Sequence, residues 1–232
     1  MNENVSFDIN TLKNAVRLSC ILDDLKTRVR SGWTVWKIDS ERLESVYEHC
    51  ADCLVLANLL YPLCPYKDKV NIDRVNKMLI NHEIGETVIG DVPVTDQERH
   101  DNKAEDEHRA WRLLLKDLPY GEETYDLLME FDGHETPDSR YAYFVDKIVA
   151  MKQMKRYHDE GKVHSLEWCM ENCEKVRTNK RIIGLVANGM DSALDVWFDE
   201  VWQPYKDDEF FMAAHRILYQ MDTNIKPPSL PD

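Results

Sequence analysis

Apolar positions recur at spacings of three and four along most of this chain, which is the period of helices with one face turned inward. Leu12, Val16, Leu18, Ile21, Leu22 and Leu25 lay such a stripe on a first helix, and a polar and aromatic loop over 30–41 follows it. Val46, Cys50, Cys53, Leu54, Ala57 and Leu60 trace the buried face of a second helix. It must end before Pro62 and Pro65, because proline brings no N–H and its ring blocks the preceding turn. The pattern predicts a third helix over 70–83, a short irregular piece between Gly85 and Gly90, and helices over 103–118 and 122–131. Thr136-Pro137-Asp138 has the marks of a helix start: a hydroxyl cap, proline at the first helical position and an acid in the first turn. That helix runs through Asp146 to Tyr157. Beyond Gly161 lie amphipathic segments over 165–178, 186–203 and 207–221, and the tail NIKPPSLPD reads as extended and disordered. The stretch 93–106, with its acidic run to Glu107, has no periodicity and reads as a solvated surface loop. The fold class that follows is all-α, without internal repeats.

The 232 residues suffice for one good core. Forty-three acidic against 29 basic side chains leave a net charge of -14. A body so negative repels phosphate backbones and anionic lipid, so nucleic acid and membrane are not expected partners. A small anionic substrate is still allowed where a metal ion reverses the field locally. No apolar run approaches membrane-spanning length, and MNENVSFDIN lacks the order of a signal peptide, so a cytoplasmic location is expected. Six cysteines are sparse for this length and fit a reducing compartment. Cys50 and Cys53 with Cys169 and Cys173 would make a zinc site, but both pairs lie in helix-like sequence without the Gly or Pro of a metal knuckle.

Four side chains able to bind a divalent ion fall on three predicted helices: His49, the adjacent His82 and Glu83, and Asp146. Neighbours on a helix point about 100° apart, so His82 and Glu83 can share an ion only where their helix ends, as Gly85 and Gly90 allow. Two imidazoles and two carboxylates suit manganese, cobalt, iron or zinc better than calcium. His100, His108, His134, His158, His164 and His215 stand outside any such pattern and read as ordinary core or surface histidines.

Four phrases, LKTRVRSGW, then RLESVYEH over 42–49, then HEIGETVIGD over 82–91, and lastly FDGHETPDSRYAYFVDKI ending at Ile148, appear in an order that resembles the HD superfamily of metal-dependent phosphohydrolases. The likeness is to its small 5'-deoxynucleotidase-like bacterial branch and covers residues 10–158. It implies an HD-type helical bundle over 1–160; the C-terminal third lies outside the resemblance and reads from its periodicity as a helical extension over 161–224 packed on that core, with a tail over 225–232. The resemblance implies His49, His82, Glu83 and Asp146 as metal ligands and Arg30 as a phosphate-binding cation. It implies Glu86 and Asp91 as catalytic carboxylates, and Trp33 beside the sugar of a nucleotide. Glu86 also stands one turn beyond His82, on the same helical face.

Two departures stand out. The signature His-Asp is His82-Glu83 here, which lengthens the arm by a methylene, and Val149 stands where the branch tends to carry a glutamate. The implied activity is removal of phosphate from nucleoside or deoxynucleoside 5'-monophosphates by attack of a metal-bound water. The partner is a small-molecule nucleotide, with a homodimer left open. Alternatives are hydrolysis of nucleoside triphosphates or pyrophosphate-containing nucleotides, or a non-catalytic nucleotide- or protein-binding scaffold.

Overall fold

The computed structural model describes residues 8–93 and 102–229. Where the helical period persists the chain is helical, in the order α1 (Ile9–Leu22), α2 (Ser31–Val35), α3 (Val46–Leu60), α4 (Ile72–Asn81), α5 (Glu86–Ile89), α6 (Lys103–Leu115), α7 (Gly121–Gly133), α8 (Pro137–Asp159), α9 (Leu166–Asn172), α10 (Glu174–Thr178), α11 (Lys180–Ala187), α12 (Ala193–Trp202) and α13 (Glu209–Gln220). Among the described residues there is no strand, only an isolated bridge pairing Val29 with Ser45. The fold is all-α.

Helix α8 is the axis of the bundle. It packs against α3, α4, α7, α12 and α13, and Tyr141, Ala142, Val145, Val149, Met151 and Met154 on it are sealed from solvent. Val149, the second departure from the family pattern, is thus core. The helix starts where the sequence placed its start: the Thr136 hydroxyl accepts from Ser139 N, and Pro137 takes the first turn. Helix α3 has its own capping box, in which the Ser45 hydroxyl accepts from Glu48 N while the Glu48 carboxylate accepts from Ser45 N. A reciprocal cap of this kind fixes the first turn, and with it the direction in which His49 leaves the helix.

One hydrophobic cluster runs from Trp33 through α3, α4 and α8 and takes in Leu166, Val176, Val196, Tyr205 and Phe211, so the helices after residue 160 share the core of those before it. A second, smaller cluster joins Ile84 to Trp111, Leu115, Tyr125 and Leu128, with Leu18 and Leu22 of α1 against it. Gly85 belongs to this contact: a Cβ there would come within 2.9 Å of Trp111 Nε1, so the turn after α4 can seat on α6 only without a side chain.

Several expectations need correction. None of the residues of α1 is buried, and Leu12 and Val16 are about half exposed. Only the side through Asn14, whose amide donates to Asp117 O, and Leu18 and Leu22 meets the body; Leu12 and Val16 lie on the far side of that helix. The polar loop over 30–41 contains α2, and Trp33 on it and Trp36 just after it are buried. The expected loop over 93–106 gives way to helix by Lys103. Its residues 94–101, with His100 and the start of the acidic run, lie outside the described residues, as do 230–232 of the expected disordered tail. Residues 222–229 form no regular element. Among the described residues no helix is long and apolar enough to cross a membrane.

Candidate metal centre

Helix α4 ends at Asn81, and His82 and Glu83 sit in the turn that follows, which the tandem pair required. From there His82 faces His49 of α3 and Asp146 of α8. His49 Nε2 is 2.8 Å from Asp146 Oδ1, and His82 Nε2 is 3.8 Å from the same oxygen. All three residues are buried. His82 Nδ1 lies 2.8 Å from Leu79 O and donates to it, which leaves Nε2 with its lone pair turned to the cluster. That nitrogen has no hydrogen-bond partner among the described residues.

A buried imidazole nitrogen without a partner is costly unless something else binds it. Cys53, one turn beyond His49, completes the group: its Sγ is 3.6 Å from His49 Nε2, and the donor atoms of His49, Cys53, His82 and Asp146 lie within 4.8 Å of one another. Burial works against a charged His82, but Glu83, Cys50 and Asp146 raise it well above the ordinary imidazole value, so without an ion these anionic surroundings favour a proton on the ring, whose place a cation would take. Burial, helped by the Arg30 cation, pushes His49 down to about 4, so that it is neutral. Burial works against ionised Asp146, yet Lys147 and the two histidines hold its carboxyl well below the usual carboxylate range. Lys147 Nζ is 2.9 Å from Asp146 Oδ2. These side chains therefore fit a resident divalent ion.

The remaining expected residues gather beside this group rather than in it. Glu83 Oε1 is 3.6 Å from His82 Nε2 but only 2.5 Å from Arg30 Nη1. The Arg30 guanidinium thus reaches across to Glu83. Glu83 also meets Glu86 and Glu107 in a second cluster of carboxylates. Glu86 is 1% exposed, and neither of its oxygens has a hydrogen-bond partner among the described residues. Burial first, then the Glu83 and Asp91 charges, push its carboxyl well above the usual range, which favours the protonated form. Asp91 accepts a hydrogen bond from Ser31 N at the start of α2, next to Arg30. Gly90, at φ 76, makes the reversal that brings Asp91 there.

Trp33 is not among these residues. Its ring stacks on Trp197 at 4.9 Å, and its Nε1 donates to Glu44 Oε2 behind Arg30. A cavity of about 760 Å³ opens on another side, between 39–44, α3 and the end of α8, and it includes none of the expected site residues.

Residues 22–186 match the family model described as "HD domain". The chain belongs to the HD-domain family. Similar proteins include a 5'-deoxynucleotidase of Mus musculus, 24% identical over 177 residues that make up 74% of this chain and 84% of the relative. A 5'-deoxynucleotidase of Schizosaccharomyces pombe is 27% identical over 146 residues, covering 60% of this chain and 70% of the relative. Among solved structures, one titled as a predicted metal-dependent phosphohydrolase from Magnetospirillum magnetotacticum MS-1 superposes with a TM-score of 0.54 at 24% identity, over 86% of this chain and 97% of that one. That likeness is one of fold.

In this HD-domain chain the sequence reading missed Cys53, Lys103, Glu107 and Lys147. Cys53 had a signal, since it follows His49 by four and so lies above it on one face of α3. Lys103 and Glu107 had none: they open α6, are paired at 3.3 Å, and reach the carboxylate cluster only through the fold. The other described histidines are elsewhere. His108 pairs with Asp132, His134 stacks on Tyr143, His164 stacks on Trp168, and His215 meets the Tyr205 hydroxyl. Cys169 and Cys173 do not join Cys50 and Cys53 in any group of three or more metal-binding side chains among the described residues.

Proposed function

We propose that this HD-domain chain is a metal-dependent phosphohydrolase that removes the phosphate from nucleoside or deoxynucleoside 5'-monophosphates. The observation that carries the reading is the buried, unpartnered His82 Nε2 facing His49 Nε2 and Asp146 Oδ1, with charged side chains assembled on one side of it. The names of the similar 5'-deoxynucleotidases favour the same substrate class.

His49, His82 and Asp146 hold the ion, manganese, cobalt, iron or zinc. When bound, such an ion supplies a Lewis acid for phosphoryl oxygens and water of lowered pKa. Each cation near the centre already has a carboxylate: Arg30 has Glu83, Lys147 has Asp146 and Lys103 has Glu107. The surplus positive charge that a phosphate dianion needs is therefore the ion's. Arg30 offers phosphate oxygens a planar fork of donors, and Glu83 aims it. Glu86, whose surroundings favour its protonated form, is the group that gives a proton to the departing 5'-oxygen. Asp91 is committed to Ser31 N, so its part is to hold the Arg30 segment in place. Trp33 does the same from behind through Glu44, whose backbone carbonyl accepts from Arg30 N.

A longer phosphate chain is less well served. Arg42 pairs with Glu48 and Lys37 lies over Trp168, so neither extends the cationic side. A cytoplasmic, reducing setting belongs to this reading, since all six cysteines are free thiols.

The test is a phosphate-release screen on chelator-stripped protein over nucleoside and deoxynucleoside mono-, di- and triphosphates, with manganese, cobalt, magnesium and zinc. Orthophosphate from 5'-monophosphates, only with added metal, is the expected result. Release from triphosphates alone would replace this substrate class. A metal-loaded protein that turns over nothing would make it a binding scaffold.

A further inference from the structure

Cys53 stands outside the ligand set that the family resemblance implies, yet it lies inside the metal group. Its side chain is sealed from solvent, its Sγ is 3.6 Å from His49 Nε2, and the unpartnered His82 Nε2 is aimed into the same space. Ligand bonds of about 2.3 Å to sulfur and about 2.05 Å to nitrogen or oxygen, arranged tetrahedrally, separate sulfur from nitrogen by about 3.6 Å and nitrogen from oxygen by about 3.3 Å. The protein has 3.6 Å for Cys53 to His49, and 2.8 and 3.8 Å for the two histidines to Asp146, so shifts of about half an ångström close the shell. Glu83, the residue with the lengthened arm, is meanwhile drawn to Arg30 and grouped with Glu86 and Glu107.

We propose that Cys53 is the fourth protein ligand of this centre, in the place from which Glu83 is withdrawn, giving a site of two nitrogens, one oxygen and one sulfur. The proposal rests on the metal-centre reading above. Binding breaks the S–H bond: the proton leaves for solvent, the sulfur keeps the electron pair and donates it to the ion, and nothing is oxidised or reduced. A thiolate ligand favours zinc and cobalt over manganese, which prefers oxygen.

Titration of chelator-stripped, reduced protein with cobalt(II) tests this spectroscopically, without reference to activity. One equivalent should bind and develop the near-ultraviolet charge-transfer band of a cobalt–thiolate bond. Cys50→Ser and the Cys169→Ser/Cys173→Ser pair should keep the band, and Cys53→Ser should lose it, while the preference for zinc over manganese drops by about tenfold or more. X-ray absorption of the zinc-loaded wild-type protein should show one sulfur neighbour at about 2.3 Å, a result that needs no variant to fold. Cobalt bound without the band, a zinc shell without sulfur, or a band lost in Cys50→Ser instead would overturn the proposal and leave the metal centre standing. A wild-type protein that takes up no cobalt or zinc would overturn both.

Discussion

The two halves of the candidate site are built on opposite principles. On one side, His49, Cys53 and Asp146 project from the interiors of α3 and α8, two long helices whose caps and core contacts leave their side chains little freedom. This half is short of partners, as the bare His82 Nε2 records. On the other side, Arg30, Glu83, Glu86, Asp91, Lys103 and Glu107 come from turns, the one-turn α5 and the first turns of α6, and their charges are mostly matched within the group. A rigid, unsatisfied half selects and holds a ligand. A charged half that is largely neutralised by its own pairs can exchange a partner for substrate oxygens at small cost, because one charge-assisted hydrogen bond replaces another.

The comparison breaks most sharply at His49 and Glu86. His49→Ala should abolish both metal content and turnover. Glu86→Gln, which keeps the size of the side chain and removes its proton, should leave metal content and nucleotide binding near the parent values while the single-turnover rate falls by about 10²-fold to 10⁴-fold. Metal analysis and rapid-quench kinetics on the same preparations separate the two. A Glu86→Gln protein that has lost its metal would merge the halves into one unit.

A smaller effect is expected at the Arg30–Glu83 pair. Arg30→Lys should raise KM and lower kcat together, since an ammonium cannot reproduce the fork, with metal content unchanged. Glu83→Ala should also retain the ion while Arg30 loses its guide, which steady-state kinetics and metal stoichiometry check on one sample. Loss of the ion in Glu83→Ala would move residue 83 from the charged half to the metal half.

The smallest effect concerns the support behind Arg30. Burial pushes the Glu44 carboxyl up from 4.5 to about 7, against the pull of Arg30 and the Trp33 hydrogen bond. With the folded value above the unfolded one, the stabilisation from this proton is complete below about pH 4.5 and is lost as pH rises through about 7. Glu44→Gln cannot ionise and keeps an acceptor for Trp33 Nε1. The stability of the parent relative to this variant should therefore fall by up to about 3 kcal/mol between pH 4 and pH 8. Thermal unfolding across that range measures it, and parallel profiles would show that the carboxyl is better solvated than its burial implies.

How much of this was legible before folding differs between the same two halves. His49 and Asp146 lie on helices whose period, caps and proline stops can be read directly, and the adjacent His82 and Glu83 demanded a helix end that α4 supplies at Asn81. Cys53 was legible only as the residue one turn beyond His49. On the charged side, the spacing of Glu86 to His82 suggests one helical face, but α4 ends at Asn81 and α5 begins at Glu86, which groups with Glu83 and Glu107 instead. Nothing in the spacing of Lys103 and Glu107 sets them beside residues 83 and 86; that neighbourhood comes from α6 packing on α5 through Trp111 and Gly85. The family resemblance sets Trp33 beside the sugar of a nucleotide, but its ring is closed in by Trp197, more than 160 residues later in the chain.

By itself the sequence determined the all-α class, the main helices and which side chains carry metal-binding chemistry, because helical period, caps and ligand chemistry are local properties of the chain. Only the tertiary structure decided which face of α1 is left open, that Glu83 turns to Arg30, and that Cys53 meets the histidines. Those outcomes depend on the angle and depth at which helices distant in sequence pack, and packing is settled by the sum of all contacts rather than by any one segment.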